Sequence, residues 1–259
     1  MTGKRKGMMR PSAAVEIEAA TLRSHGAGAG SELPVLRSGV RLTEVEEAQW
    51  LAGVVIPFDK PAGWSSFDVI RAVRPRLPVK KIGHAGTLDP LATGLLLCCT
   101  GKATKRISEL QNLPKTYLAD IRLGRTSPSL DHGTPVSETA PWDGMDPDRI
   151  ESLLTSQFVG EIDQLPPDFS ALKVGGRRAY DLARKGLATG LEPRKVFIHH
   201  LQVLQSEADR LHLEVVCGKG TYLRALARDA ARALGTVGML DALRRTESGG
   251  ISVEHAWNP

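Results

Sequence analysis

A glycine-rich loop contains the carboxylate with the clearest chemical potential in this sequence. Residues 83–94 read GHAGTLDPLATG, and Asp89 lies there between Leu88 and Pro90. A carboxylate among apolar residues must be capped, paired or functional, because burying an unpaired charge is costly. Two roles are therefore open for Asp89. It could cap a helix or loop backbone, or it could act as a covalent nucleophile that a nearby cation keeps ionised.

Three other residues could complete such a site. Arg224, at the start of a later helix, could supply the cation, although a solvated surface arginine fits the same spacing. Tyr117 fits a base-stacking platform and equally an aromatic of the core. His84, within the loop, fits a functional histidine and equally one that only hydrogen-bonds the backbone.

Two Gly-Lys segments, residues 101–104 and 218–221, are candidates for phosphate binding. Lys102 is followed by Ala and Lys219 by Gly, where a P-loop requires Ser or Thr. We therefore expect no nucleotide cofactor. Backbone N–H groups and lysines, with Lys105 adding another charge, could still bind RNA phosphates, and ordinary turns are the alternative.

Short elements can be predicted around the loop. A β-branched run at residues 54–56 predicts a strand, and alternating polarity predicts half-buried strands at residues 117–123 and 211–217. The serine pair at 65–66 precedes apolar residues at helical spacing. With Pro75 as a stop, this pattern predicts a short capped helix.

A longer helix is predicted after the last of these strands. Its apolar face comprises Leu223, Leu226, Ala227, Ala230 and Leu234. Gly235 closes the helix, and Arg224, Arg228 and Arg232 form a basic stripe beside the apolar face. Because no regular βαβ repeat is present, the sequence predicts an α+β fold with a mainly antiparallel central sheet flanked by helices.

Composition indicates a soluble globular protein with a preference for polyanions. The chain has 259 residues, a net charge of +5 and a pI near 9.2, which favours nucleic acid without requiring it. Its cysteines, Cys98, Cys99 and Cys217, and its histidines lack disulfide or metal-ligand spacing, so we expect a reducing cytoplasm and no metal. Neither a signal peptide nor a membrane span is expected.

Residues 1–50 differ from the remainder in texture. They are rich in Ala, Gly and Ser without a sustained period, which predicts a mobile basic extension with a short Ala-rich helix near residues 12–22. Folded structure is predicted to begin at Gly53. Residues 51–259 are predicted to form one catalytic domain.

The loop sequence is similar to that of one family of RNA-modifying enzymes. Residues 83–94 fit, over all twelve positions, the form GH-x-G-x-LDPLATG of the catalytic loop in the TruB family of bacterial tRNA pseudouridine synthases. The resemblance covers roughly residues 53–250. It continues through residues 60–66, 101–105, 115–117, 166–173, 178–180, 218–224 and 243–246.

The resemblance implies a pseudouridine synthase fold and a role for each candidate residue. Asp89 becomes the nucleophile and Arg224 its ion-pair partner. The other implied substrate-binding residues are Tyr117, stacked on the flipped base, His84, which helps to hold the rearranged T-loop, Asp131, at the base, and Tyr222 and Lys105. Extruding the uridine costs about a few kcal/mol, of which stacking on Tyr117 would return about 1–3 kcal/mol.

The implied reaction converts the T-loop uridine at tRNA position 55 to pseudouridine. The resemblance implies no metal or organic cofactor, and we expect a cytoplasmic monomer whose partner is tRNA. Attack of the carboxylate on the base and attack on the ribose are both compatible with it.

The family pattern differs from this sequence in two respects, the long amino-terminal extension and the lack of a full carboxy-terminal PUA domain before Pro259. We therefore expect a weaker grip on tRNA, or one supplied by the basic extension. Two alternative functions stay open. A glycoside or nucleoside hydrolase would need a second positioned carboxylic acid, and a non-catalytic tRNA-folding chaperone would have no need of Asp89.

Overall fold

A nine-stranded sheet forms the centre of the protein, whose computed structural model describes residues 33–39 and 45–259. The strands of this sheet are β1 (Val55–Lys60), β2 (Ile82–His84), β3 (Thr93–Thr100), β4 (Lys115–Leu123), β7 (Gly160–Gln164), β10 (Arg194–Glu207), β11 (Arg210–Cys217), β12 (Gly238–Ser248) and β13 (Ile251–Ser252). The main path runs β1-β3-β12-β4-β11-β10-β7, while β2 pairs with β3 and β13 with β12. All these pairs are antiparallel except β3 with β12.

In the described part of the chain, two small ribbons and six helices surround this sheet. The ribbons are β5 (Arg125–Thr126) with β6 (Glu138–Thr139), and β8 (Lys173–Val174) with β9 (Arg177–Arg178). The helices are α1 (Glu47–Ala52), α2 (Ser66–Val73), α3 (Ile107–Asn112), α4 (Pro147–Phe158), α5 (Ala179–Ala183) and α6 (Leu223–Ala233), with 3-10 turns at Arg74–Arg76, Gly101–Arg106 and Val253–His255. The predicted α+β class with a mainly antiparallel sheet is confirmed.

Side-chain alternation explains the central strands. In β4 every second residue from Lys115 to Leu123 is buried, and β11 alternates in the same way, because successive side chains of a strand point to opposite faces. The buried faces of both strands contribute to the largest apolar core. The strands predicted at residues 117–123 and 211–217 are confirmed.

Helices α2 and α6 begin and end for the reasons visible in their sequences. Ser65 caps α2 by accepting a hydrogen bond from the Asp68 amide at 3.2 Å, while the Asp68 carboxylate accepts from the Ser65 amide at 2.9 Å. The apolar face of α6 is buried and packs mainly on β12. Gly235, just after α6, has φ +82°, the left-handed conformation that commonly ends a helix.

Part of the chain before Gly53, where folded structure is predicted to begin, packs against β1. Residues 34–36 lie beside β1, where Leu36 donates to the Val55 carbonyl and Val55 to the Pro34 carbonyl, both at 2.8 Å. Trp50 of α1 is fully buried. These contacts cover the edge strand β1, which would otherwise expose unpaired backbone groups. The sequence did not predict them, because the apolar residues involved are few and have no helical or strand periodicity. The helix predicted near residues 12–22 lies outside the described residues.

Within residues 33–39 and 45–259, every helix is too short or too polar to span a bilayer. Cys98, Cys99 and Cys217 are buried and carry free thiols.

Gly94 makes a close backbone contact where β3 meets β12. Its φ is +96°, and an added Cβ would collide with the backbone of Arg245, including the amide nitrogen at 2.8 Å. We expect Gly94→Ala to lower the free energy of unfolding by about 3 kcal/mol, from strain and overpacking together. Urea denaturation would measure this loss.

Gly144 is the matched control for this substitution. It has φ +83° and no atom within 4 Å of an added Cβ, so Gly144→Ala should cost only about 1 kcal/mol of strain. Equal losses at the two positions would contradict the collision at Gly94.

Candidate active site

Asp89 lies in a loop that is fixed on both sides. The Leu88 amide donates to Ser66 Oγ at 2.9 Å, and the Pro90 carbonyl accepts from the Gly63 amide at 2.8 Å. Leu88 is buried in the main core. The Asp89 side chain nevertheless stays 38% exposed, so a rigid loop presents its carboxylate to an incoming group.

Arg224, in the first turn of α6, holds this carboxylate. Its Nε donates to Asp89 Oδ2 at 2.9 Å, while Nη1 and Nη2 donate to the carbonyls of Ser129 and Phe169 at 2.9 and 3.0 Å. The side chain is only 6% exposed, so the alternative of a solvated surface arginine is wrong. A guanidinium with its donors engaged in this way has one orientation, and it fixes that of Asp89.

A second carboxylate approaches the same guanidinium. Asp131 Oδ2 lies 3.5 Å from Arg224 Nε, and Asp131 Oδ1 accepts from the Gly133 amide at 2.8 Å. The preceding Leu130 has φ +61°, a strained conformation that is held by a hydrogen bond from the Leu240 amide to its carbonyl. The family resemblance implies that Asp131 contacts the base, but the spacing of the two residues gives no reason to place Asp131 beside Asp89.

Tyr117 is buried below the loop beside a buried arginine. Its ring lies 6.0 Å from the guanidinium carbon of Arg245, whose Nη1 is 3.5 Å from the phenolic oxygen. Arg245 also donates from Nε to the Leu95 carbonyl at 2.5 Å and from Nη2 to the Gly86 carbonyl at 3.4 Å. Burial raises the pKa of Tyr117, so the phenol is neutral around pH 7.

Two buried lysines were not predicted as part of the site. Lys60 Nζ donates to the carbonyls of Pro61, Trp64 and Pro90, at 3.0, 2.6 and 3.4 Å, and so links β1 to the loop. Lys115 Nζ likewise donates to backbone carbonyls. The local sequence could not identify these two lysines, because one precedes an ordinary turn and the other begins an ordinary strand. Neither their burial nor the backbone carbonyls around their ammonium groups can be inferred from sequence.

The buried ammonium of Lys60 should make stability depend on pH. Burial lowers its pKa from 10.5 to about 8, with the charge of Arg245 acting in the same direction and Asp89 and Asp68 opposing. Between about pH 8 and 10.5 the unfolded chain therefore binds more protons at Lys60, and the free energy of unfolding rises with pH. Lys60→Met should reduce this slope by up to about 1.4 kcal/mol per pH unit, measured by urea denaturation at pH 8, 9 and 10.

Lys115 has the same lowered pKa of about 8. The Lys60→Met variant should therefore keep part of the pH dependence of the free energy of unfolding. The exposed Lys102 is the control, and Lys102→Met should leave the slope as in the unaltered protein. A Lys60→Met protein with an unchanged slope would contradict the lowered pKa of Lys60.

The remaining predicted residues lie at different depths around the loop. His84, on β2, has a buried Nδ1, and burial lowers its pKa while a backbone hydrogen bond with Gly86 opposes this shift. Tyr222 immediately precedes α6, where its amide and carbonyl both bond the side chain of Gln164. Burial and the charge of Asp89 raise the pKa of Tyr222.

Lys105 is not brought to this cluster. It is exposed and follows the Thr100 end of β3, whereas Asp89 precedes the Thr93 end. The two ends of β3 are roughly 23 Å apart at about 3.3 Å per residue. Direct participation of Lys105 in the same chemistry is not supported by this placement.

The cluster as a whole suits nucleophilic chemistry by a carboxylate. It combines an accessible Asp89, a buried cation beside it and an aromatic ring below. No group of three or more His, Cys, Asp or Glu side chains within residues 33–39 and 45–259 is placed to hold a metal ion.

Sequence comparison places the chain among known proteins. Residues 74–223 match the family described as TruB family pseudouridylate synthase (N terminal domain). A tRNA pseudouridine synthase B from Bacteroides fragilis is 47% identical over 213 residues, covering 80% of this chain and 91% of the relative. One from Parabacteroides distasonis is 44% identical over 216 residues, covering 81% and 92%.

Structure comparison agrees at the level of the fold. A chain in the crystal structure of a Cbf5-Nop10-Gar1 complex superposes with a TM-score of 0.61 at 28% identity. A chain in an H/ACA RNP bound to a substrate RNA containing 2'-deoxyuridine gives 0.57 at 26%. The matches cover 83% and 82% of this chain but only 54% and 52% of those chains, so this protein spans about half their length.

Proposed function

The chain belongs to the TruB family of pseudouridylate synthases, and we propose from this premise that it isomerises uridine to pseudouridine in tRNA. The observation that carries the proposal is the ion pair of Asp89 with the buried Arg224. It sets a half-exposed carboxylate in one orientation at a rigid loop. The target is the T-loop uridine at position 55.

We propose that the reaction proceeds in three stages. The uridine must leave its stack before its glycosidic bond can be reached. The Asp89 carboxylate then attacks the target nucleotide, and the bond between ribose C1' and base N1 breaks. After rotation of the base, C1' bonds to C5 and the carboxylate is released, while the C5 proton passes to solvent and N1 takes up one proton from solvent. Atoms and electrons balance within one nucleotide, so the proposal includes no cofactor.

The residues around Asp89 have complementary roles in this proposal. We assign Tyr117 to stacking on the flipped base and Asp131, whose Oδ2 lies 3.5 Å from Arg224 Nε, to contact with the base edge. Tyr222, at the start of α6 and two residues before Arg224, contacts the target nucleotide, and His84 supports the displaced RNA. Stacking on an aromatic side chain contributes about 1–3 kcal/mol per base.

A basic groove offers an RNA phosphate surface near the site. Its volume is about 900 Å³, and it lies between the β8–β9 ribbon and α5. Its cationic lining residues are Lys173, Arg177, Arg178, Arg184 and Lys185, with Asp181 as the acidic one. Along the chain, the groove residues come directly after a loop whose Phe169 carbonyl accepts a hydrogen bond from Arg224. RNA held there would therefore be positioned relative to Asp89.

We further propose that the protein works in the cytoplasm as a monomer. Three free buried thiols suit a reducing compartment. The ion-pair cluster at Asp89 is formed by Arg224 and Asp131 of the same chain, so it does not require a residue from a second subunit. Sedimentation with and without tRNA would test the oligomeric state.

Product mapping tests the proposed activity. A T-loop-containing tRNA transcript labelled with tritium at uridine C5 should release tritium with the protein, and carbodiimide modification followed by primer extension should locate pseudouridine at position 55. Replacing that uridine by cytidine should abolish the signal. Binding of tRNA without tritium release would instead indicate a chaperone.

A further inference from the structure

One exposed face of α2 combines an aromatic side chain with two cations. Phe67, Arg71 and Arg74 follow each other at i, i+4 and i+7 and so share a helix face, here called the α2 stripe. Phe67 is 67% exposed and the Arg71 side chain 74%. The opposite face, Val69, Ile70 and Val73, is buried in a core cluster. The helix therefore does not need Phe67 for packing.

The α2 stripe starts at the catalytic loop. Ser66, the first residue of α2, bonds both the amide and the carbonyl of Leu88, the neighbour of Asp89. From there α2 extends about 12 Å at 1.5 Å per residue. Its exposed face is thus a continuation of the surface on which the Asp89 carboxylate opens.

Charge identifies the kind of molecule that fits this face. Between residues 61 and 88 the chain has five cationic residues, Arg71, Arg74, Arg76, Lys80 and Lys81, and one acidic residue, Asp68. The five cations are exposed. Asp68 is already engaged by Ser65 and Arg71. A bare aromatic ring among exposed cations suits a partner with both bases and phosphates.

We propose that the α2 stripe binds the RNA strand adjacent to the target uridine. Phe67 stacks on a base or ribose of that strand, and Arg71 and Arg74 contact its phosphates. The inference rests on the proposed function and extends it, since it assigns a second RNA-binding surface on the side of Asp89 that α2 occupies.

Binding of tRNA at several salt concentrations tests this assignment. Phe67→Ala should raise the Kd about tenfold, while Phe67→Tyr should restore it. The double variant Arg71→Gln/Arg74→Gln should weaken the dependence of log Kd on log salt by about 1–2. In tritium release, KM should rise while the single-turnover rate at saturating tRNA stays within about threefold.

The controls are Leu204→Ala and Arg149→Gln, exposed residues on β10 and α4, and both should behave as the unaltered protein. The assignment stands only if Phe67→Ala and the double variant both weaken tRNA binding. An unchanged Kd and salt dependence in either of these two variants would overturn the assignment. Unchanged values in both would indicate that the α2 stripe binds an acidic protein instead of RNA. If the unaltered protein bound tRNA tightly but released no tritium, the proposed activity would be refuted. The Kd values of the variants would still test RNA binding by the α2 stripe.

Discussion

Asp89→Asn is expected to abolish pseudouridine formation while leaving the fold and tRNA binding intact. The Asn side chain is isosteric and its amide oxygen can still accept from Arg224 Nε, now 2.9 Å from Asp89 Oδ2. It cannot form the covalent bond that the reaction needs, so the single-turnover rate should fall by about 10⁴-fold or more. Tritium release at saturating tRNA measures this fall.

Two Asp→Asn variants separate this prediction from its rivals. Asp131→Asn changes the second carboxylate at Arg224 and should lower the rate far less than Asp89→Asn. Asp148→Asn, on the exposed first turn of α4, should have no effect. If Asp131→Asn were inactive and Asp89→Asn active, Asp131 would be the nucleophile.

Arg224→Met is expected to damage both stability and catalysis. The change leaves Asp89 and Asp131 without their shared cation, and the carbonyls of Ser129 and Phe169 without a donor. Removing one partner of a buried pair costs about 3–5 kcal/mol, and we expect about 3 kcal/mol because Asp89 is partly solvated. The rate should fall by about 10³-fold or more, since the nucleophile loses its orientation. Urea denaturation and tritium release measure the two effects.

Arg228 supplies the matched control one turn along α6. It bonds the Leu165 carbonyl and the adjacent Asp229 side chain, and Arg228→Met should cost about 1 kcal/mol. Arg224→Lys keeps a charge but cannot make all the guanidinium contacts, so its activity should lie between those of Arg224→Met and the unaltered protein. An Arg224→Met protein as stable as the Arg228→Met one would contradict the buried role.

Local sequence patterns predicted those elements whose reasons are themselves local. The alternation from Tyr117 to Leu123 and the cap at Ser65 depend on neighbours a few residues away, and both appear in the structure. The covering of β1 by residues 34–36 depends on partners about 20 residues distant. An isolated apolar residue such as Leu36 belongs to no hydrophobic periodicity, so the sequence pattern does not predict such a contact.

The candidate site divides in the same way. Asp89 could be singled out from its loop, and the resemblance pointed to Arg224, but nothing in their spacing could bring together residues 135 positions apart. Lys60 and Arg245 have unremarkable local sequences. Their place in the site depends on burial and on backbone carbonyls of the loop and β3, which only tertiary structure supplies.

The position of β12 has a consequence for the order in which this molecule can mature. Strand β12 is the last long strand along the chain, yet it lies between β3 and β4 in the middle of the sheet. On the ribosome, a nascent chain ending before residue 238 would hold two half-sheets, each with an unpaired edge, and would lack Arg245 beneath the loop. Such edges attract other strands. Pairing of β12 with β3 and β4 therefore removes both edges and brings Arg245 to the Gly86 carbonyl, so the support beneath Asp89 forms only after this strand has been synthesised.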